Sequence, residues 1–191
     1  MSGPSDSGLE AGLPDQEAME RLVSGDDLAL NGLMERWKDR LVAYLHRFTG
    51  NEADARDLAE ETFVRVYQGR MKFQLGKPFS TWIFGIAANL ARNHLRWRRR
   101  HPALPMEEAG EIASGKDPAD SAEANERGKA VRTAVASLPA DLRESLILGE
   151  YEGLSHAEIA AIAGCSPKAV ERRISRARQI LRGQLSRYLQ G

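Results

Sequence analysis

From Leu30 onward the apolar positions Leu33, Met34, Trp37, Leu41, Tyr44, Leu45 and Phe48 recur at spacings of three and four. That rhythm predicts one buried helix face, which Thr49-Gly50-Asn51 ends. A second helix, from about Glu52 to Gln68, buries Ala55, Leu58, Ala59, Phe63, Val66 and Tyr67, with Gly69 closing it. The loop RMKFQLGKP follows, and Ser80 is read as the N-cap of a helix through Trp82, Ile83, Ile86, Ala87 and Leu90 that runs out into RWRRR. The segment from Pro102 to about Asn125 loses the period and gains Pro, Gly, Ser and acids, the signature of a flexible linker. Helical spacing then resumes through Val131 and Val135, breaks at Leu138-Pro139, continues through Leu142, Leu146 and Leu148, and stops near Gly153. No strand-like alternation of useful length occurs.

The last quarter carries the sharpest local signals. Ser155-His156-Ala157-Glu158 has the form of a capping box, in which the serine oxygen and the glutamate carboxylate each satisfy the other residue's amide. Ile159, Ala160 and Ile162 give a short apolar face, Gly164 suits a left-handed stop, and Ser166-Pro167 restarts a helix with a cap and a first-turn proline. This spacing predicts a helix-turn-helix. Counted at about 100° per residue, Val170, Ile174, Ala177 and Leu181 form the inward sector of the second helix. Ser166, Lys168, Glu171, Arg172, Arg173, Ser175 and Arg176 are the candidate DNA contacts of this element. Guanidinium forks read guanine edges, and neighbouring cations hold phosphates.

Charge changes the picture from two helical bundles to a nucleic-acid protein. The 191 residues hold 27 basic and 27 acidic side chains, yet the two signs are segregated. Arg92 to Arg100 contains five arginines and no acid, Glu107 to Glu126 sets seven acids against Lys116 alone, and Arg127 to the C-terminus has eleven bases and six acids. Two basic modules flanking an acidic connector point to a polyanionic partner. Within the upstream basic helix, Asn89, Arg92, Asn93, Arg96 and Arg99 can share one face suited to phosphates and base edges. Trp97 serves equally as a stacking group or a packing anchor. Asp57, Glu60 and Glu61, by contrast, read from the period alone as a solvated acidic face.

Other classes find little support. The 42% hydrophobic content fits a soluble globular protein, and the apolar stretches are too interrupted by charge for membrane insertion. The N-terminus MSGPSDSGLEAGLPD lacks the basic start and apolar run of a signal peptide, so residues 1–14 are read as a disordered tail. Cys165 is the single cysteine, which excludes an internal disulfide and fits a reducing cytoplasm. Gly110 to Lys116 has P-loop spacing, but Asp117 stands where Ser or Thr is required and no strand precedes it. His156 and Cys165 do not form a credible catalytic pair, and His46, His94 and His101 lack metal-ligand spacing. No enzyme activity, metal or cofactor is expected.

Three stretches, DARDLAEETFVRVYQ, FSTWIFGIAANLARNHLRWRRR and LPADLRESLILGEYEGLSHAEIAAIAGCSPKAVERRISRARQIL, resemble in order and spacing the extracytoplasmic-function group of bacterial sigma-70-type initiation factors. The resemblance runs from about Asp26 to Leu185. It implies an all-α protein of two small helical domains joined by a flexible acidic linker. Residues 15–101 would be sigma region 2, 102–126 the linker, and 127–191 the region 4 helix-turn-helix. It further implies that Asp57, Glu60 and Glu61 dock the clamp of core RNA polymerase, whose beta and beta-prime subunits would be partners, reversing the solvated reading. The basic helix and the loop Met71 to Pro78, with Phe73 and Gln74, would recognise and open the minus-ten element. The helix-turn-helix would read the minus-thirty-five element, and an anti-sigma factor would be a further partner. Glu171 and Arg172 stand where family members often carry a basic residue and serine, Glu60 replaces a common glutamine, and Ala88 a common arginine. The promoter sequence therefore does not transfer. The alternative is a stand-alone helix-turn-helix regulator that binds duplex DNA without polymerase, and a more remote one is a nucleotide hydrolase using the linker lysine.

Overall fold

The computed structural model describes residues 13–101 and 122–186, and every regular element among them is helical. The N-terminal half consists of α1 (Leu13–Val23), α2 (Ala29–Thr49), α3 (Glu52–Gly69), a 3-10 turn at Arg70–Lys72, and α4 (Phe79–Arg100). The C-terminal half consists of α5 (Ala122–Ser137), α6 (Ala140–Glu150), α7 (His156–Ala163) and α8 (Pro167–Gln184).

Helix α2 is the axis of the first half. Its stripe Leu33, Trp37, Leu41, Tyr44, Leu45 and Phe48 is buried, as the three-four spacing demands. Trp37 meets Phe79 and Phe84 of α4 edge-on, at centroid distances of 5.5 and 5.8 Å. The buried residues of α3 and α4 include the alanines Ala55, Ala59, Ala87, Ala88 and Ala91, whose small side chains let the helices approach closely. Asn51 caps α3 by accepting the Asp54 amide at 2.9 Å.

The helix-turn-helix forms from the local signals described above. Ser155 and Glu158 make both bonds of the capping box, and Gly164 closes α7 at φ 63°. Ser166 caps α8 through the Ala169 amide at 3.2 Å, with Pro167 in the first turn. Gly149 on α6 permits the crossing with α8, because a Cβ there would stand only 3.1 Å from Ile174 Cδ1.

Four features differ from expectation. Helix α1 begins at Leu13, two residues inside the stretch read as tail, and it is held by Met19 and Leu22 in the core and by a buried aspartate. Its Asp15, buried, accepts hydrogen bonds from Trp37 Nε1 at 3.0 Å and Arg36 Nε at 2.8 Å. Helix α4 starts at Phe79 with Pro78, not Ser80, at the cap position, since proline presets the entry torsion and Phe79 anchors the first turn in the core. Gly69 does not stop the chain in a left-handed turn, and α3 instead tightens into the 3-10 turn. Helix α5 begins at Ala122, within the segment read as linker, in a stretch whose alanines favour helix.

The two halves pack on one another, and buried residues of both belong to a single hydrophobic cluster. Arg143 ties the C-terminal ends of two helices across this seam, donating to the Phe48 carbonyl at 2.7 Å, to the Leu138 carbonyl at 3.0 Å, and to that of Ala136.

Replacing Asp15 by alanine leaves the buried Trp37 N–H without its acceptor and should destabilise the protein by about 1 to 3 kcal/mol. Urea unfolding followed by tryptophan fluorescence measures this, and Asp15→Asn, which keeps one acceptor, should lose less.

Candidate nucleic-acid interface

Three surfaces carry the candidate residues. On α3, Asp57 and Glu60 are exposed, while Glu61 is partly covered and accepts from Arg65 Nε at 2.6 Å one turn on. Beside them α2 and α3 enclose a groove of about 1110 Å³. Leu30, Met34, Val42, Phe63 and Val64 give it an apolar floor, and Lys38, Asp39, Arg56 and Glu60 a charged rim. An apolar floor with a polar rim suits docking of a helix from another protein.

The second surface is α4 with the loop before it. Asn89, Asn93, Arg96 and Arg99 are exposed at helical spacing on one face. Arg96 donates to Asn93 Oδ1 at 2.6 Å, so the pair is ordered together. Trp97, 43% exposed, stacks on His101 at 4.8 Å, which leaves an aromatic face at the open end of the helix. Arg98 points elsewhere and pairs with Asp54 at 2.6 Å.

Phe73 does not sit as the loop reading expected. It is 7% exposed, packed 5.1 Å from Trp82 and 6.1 Å from Phe79. An aromatic ring in reach of two others buries its surface there, so Phe73 is the anchor of the loop and Gln74 its exposed polar group. The loop has a second tether that the sequence did not reveal. Gln16 of α1 donates to the Lys77 carbonyl at 2.5 Å and accepts from the Gly76 amide at 3.1 Å. Period and composition carry no trace of a contact between residues 61 positions apart.

Arg92 also departs from the free face. Its Nη1 donates to Glu144 Oε1 of α6 at 2.6 Å, and Nη2 reaches the Ile162 carbonyl of α7 at 3.5 Å. Burial pushes the Glu144 carboxyl up, against the pull of Arg92 and Arg173. The α4 face and α7 border a cleft of about 970 Å³, with Trp82, Ile86 and Asn89 on one side and Ala157, Ala161 and Ile162 on the other. Thr81 donates to Glu158 Oε1 at 3.0 Å across it. Burial by itself would raise Glu158, but hydrogen bonds from Ser155 and Thr81 outweigh it and hold the carboxyl below its ordinary value.

The third surface is α8. Val170, Ile174 and Ala177 are buried and Leu181 partly so, which turns Ser166, Lys168, Glu171, Arg172, Ser175 and Arg176 outward as the helical count requires. Lys168, Arg172 and Arg176 have no ion-pair partner among the described residues. Arg173 is the exception. It is partly buried, with Nη1 at 3.5 Å from Cys165 Sγ and Nε at 3.5 Å from Asp141, so it braces the turn instead of extending the free face. Arg178 is likewise held, by Glu150 at 2.5 Å.

Among the described residues no group of three or more His, Cys, Asp or Glu could hold a metal ion, and no helix is long and apolar enough to cross a membrane. The stretch Gly110 to Lys116 lies outside the described residues.

Comparison with known proteins agrees with this layout. The Sigma-70 region 2 family matches residues 33–101, and the Sigma-70, region 4 family matches residues 128–181. An RNA polymerase sigma-H factor of Pseudomonas aeruginosa is 33% identical over 177 residues, covering 87% of this chain and 91% of the relative. An ECF RNA polymerase sigma-E factor of Escherichia coli is 33% identical over 178 residues, covering 88% and 93%. The solved structure of CnrH in complex with the cytosolic domain of CnrY superposes with a TM-score of 0.70 at 28% identity, covering 91% of this chain and 97% of that one. The sigma factor RpoE of Bartonella quintana, solved with the anti-sigma factor NepR, shares the fold at a TM-score of 0.69 and 24% identity, over 82% of this chain and 96% of that one. With its region 2 and region 4 helices in order and a third of its residues shared along nearly whole relatives, the chain belongs to the extracytoplasmic-function sigma factors of the sigma-70 family and directs promoter-specific initiation by RNA polymerase.

Proposed function

We propose that the three surfaces divide the work of initiation as follows. The groove between α2 and α3, with Asp57, Glu60 and Glu61, docks the clamp of core polymerase, and the beta and beta-prime subunits are the protein partners. The α4 face, Asn89, Arg92, Asn93, Arg96 and Arg99, together with Gln74, receives the separated strand of the minus-ten element, while Phe73 and Gln16 position the loop. Opening a promoter requires polar groups and stacking surfaces for unstacked bases and cations for the strand, and this face offers both. Helix α8 reads the minus-thirty-five duplex through Ser166, Lys168, Glu171, Arg172, Ser175 and Arg176, with Arg173 bracing the turn. The domain limits follow: residues 15–101 for docking and minus-ten recognition, 102–126 as connector, and 127–191 for minus-thirty-five recognition. The protein works in the cytoplasm, leaves the chemistry to polymerase, and is held in reserve by an anti-sigma factor, as CnrH and RpoE of Bartonella quintana are solved with CnrY and NepR.

One observation supports this reading over a stand-alone regulator. The chain presents two separate cation-rich faces, on α4 with Arg96 and Arg99 and on α8 with Lys168, Arg172 and Arg176, and a third surface, on α3, where exposed acids stand beside an apolar groove. A duplex-binding regulator uses only α8. Run-off transcription with core enzyme and a library of genomic promoters tests the reading directly, and absence of any core-dependent transcript would return the regulator to first place.

The double change Asp57→Arg with Glu61→Arg should abolish association with core polymerase on gel filtration while circular dichroism stays unchanged. Retention of core binding by the folded variant would remove α3 from the docking surface.

Alanine at Arg172 or Glu171 should cost about 1 to 3 kcal/mol and relax preference at individual minus-thirty-five bases in a selection from randomised promoters. Alanine at Arg182, exposed at the far end of α8, should weaken every promoter alike and lower the salt slope.

Within the holoenzyme, Gln74→Ala and Asn89→Ala should reduce permanganate reactivity of thymines near minus ten more than they reduce duplex binding, because these groups meet bases after unstacking. Equal loss in both measurements would mean that the loop and α4 contact duplex only.

A further inference from the structure

The loop between the 3-10 turn and α4 turns apolar side chains toward water. Leu75 is 53% exposed and Met71 71%, with exposed Lys72 and Lys77 close to them in sequence. The stretch RMKFQLGKP holds three basic residues and no acid. Gln74 and Lys77 border the cleft beside α4, whereas Leu75 stands outside it. A single exposed leucine is ordinary on a protein surface. The backbone that carries this one is not.

The Lys77 amide donates to the Gln74 carbonyl at 3.0 Å and Gly76 has φ 85°, the pattern of a type II turn with Leu75 at its corner. Phe73 before the turn and Phe79 after it are buried, but all four residues of the turn itself are exposed, so no side-chain packing fixes it. Gln16 of α1 supplies the restraint instead. Its one side-chain amide donates to the Lys77 carbonyl at 2.5 Å and accepts from the Gly76 amide at 3.1 Å. Asp15, the residue before it, is bonded to Trp37 and Arg36 of α2. The corner that presents Leu75 is therefore tied to the core through α1.

We propose that Leu75 is an apolar wedge that enters the base stack where paired and unpaired bases of the minus-ten element meet, and that Gln16 is the positioning residue that holds its turn. This rests on the assignment of the loop and α4 to the minus-ten strand. Proteins that unstack duplex DNA insert apolar side chains between base steps, leucine among them. The inserted group takes over the apolar contact that each separated base loses. A leucine on a slack loop would be pushed aside by the stack, whereas one on a turn fixed beforehand loses little further freedom on insertion. Gln74, next to Leu75 in the turn, offers a polar group to the unstacked base, and Lys72 and Lys77 suit the flanking phosphates. A loop of three cations and no acid fits DNA better than an acidic protein surface or an apolar one.

The holoenzyme tests this on one promoter in two forms, fully duplex and with the minus-ten element held open by mismatches, by the rate at which competitor-resistant, transcribing complexes form. Leu75→Ala should slow the duplex form about tenfold and leave the premelted form unchanged, because a wedge acts only while bases are still stacked. Leu75→Met, which keeps an apolar side chain of similar length, should retain most of the rate. Gln16→Ala should slow the duplex form as well, and the double variant should be no slower than Leu75→Ala alone, since both changes act through one side chain. Gln74→Ala should slow both forms, because it meets a base that is already separated. Normal opening of duplex by Leu75→Ala, while Gln74→Ala and Asn89→Ala remain defective, overturns the wedge and leaves the minus-ten assignment intact. Equal loss on both forms, or weaker core association on gel filtration, overturns it too, making Leu75 a strand contact or a polymerase contact. Full additivity of Gln16→Ala with Leu75→Ala overturns the positioning role of Gln16. If Gln74→Ala and Asn89→Ala are silent on both forms, the minus-ten assignment itself has failed.

Discussion

Helix α2 has to bury Leu33, Trp37, Leu41, Tyr44, Leu45 and Phe48 along one side, and the neighbouring elements are arranged to satisfy that single demand. Helices α3 and α4 supply alanines where backbones must come close and aromatics where Trp37 needs partners. Helix α1 adds Met19 and Leu22 to the core and an aspartate for the tryptophan N–H. Helix α2 also carries Arg40 and Arg47 outward to Glu152 and Tyr151 of the second half, so the element that organises the core also organises the seam. Apolar burial is non-directional and sets the bundle, whereas the ion pairs are directional and fix how the halves meet.

Function follows from what this arrangement leaves over. A face of α4 and a face of α8 keep cations without acidic partners, while Arg173, Arg178 and Arg98 are spent on Asp141, Glu150 and Asp54. The basic residues therefore fall into two kinds, those that hold the protein and those that remain for a polyanion. Arg92 stands on the basic helix α4 and is bonded to Glu144.

The local elements were legible in the sequence because their information is local. Helix faces, the Ser155–Glu158 capping box, the Gly164 stop and the Ser166-Pro167 restart all depend on residues three or four apart, and the box, the stop and the restart formed as read, while Leu58 and Tyr67 are only partly buried and Val131 is exposed. The outward set on α8 followed from its inward set by rotation alone, with Arg173 as the departure. The segregation of charge pointed to a polyanionic partner, and the resemblance of the three stretches, in their order, pointed to a sigma factor before any contact was known.

Tertiary structure decided which of those residues are free. Glu144 stands 52 positions from Arg92, and Glu152 stands 112 from Arg40, so no window along the chain contains both partners of either pair. The burial of Phe73, the pinning of its loop by Gln16 and the docking of α1 through Asp15 are of the same kind. A sequence by itself determines periodicity, caps and net charge, because these are sums over neighbours. Whether a given charge meets water, DNA or another side chain depends on where the remainder of the chain folds back, and here that return path ties down Arg92 and leaves Arg96 exposed.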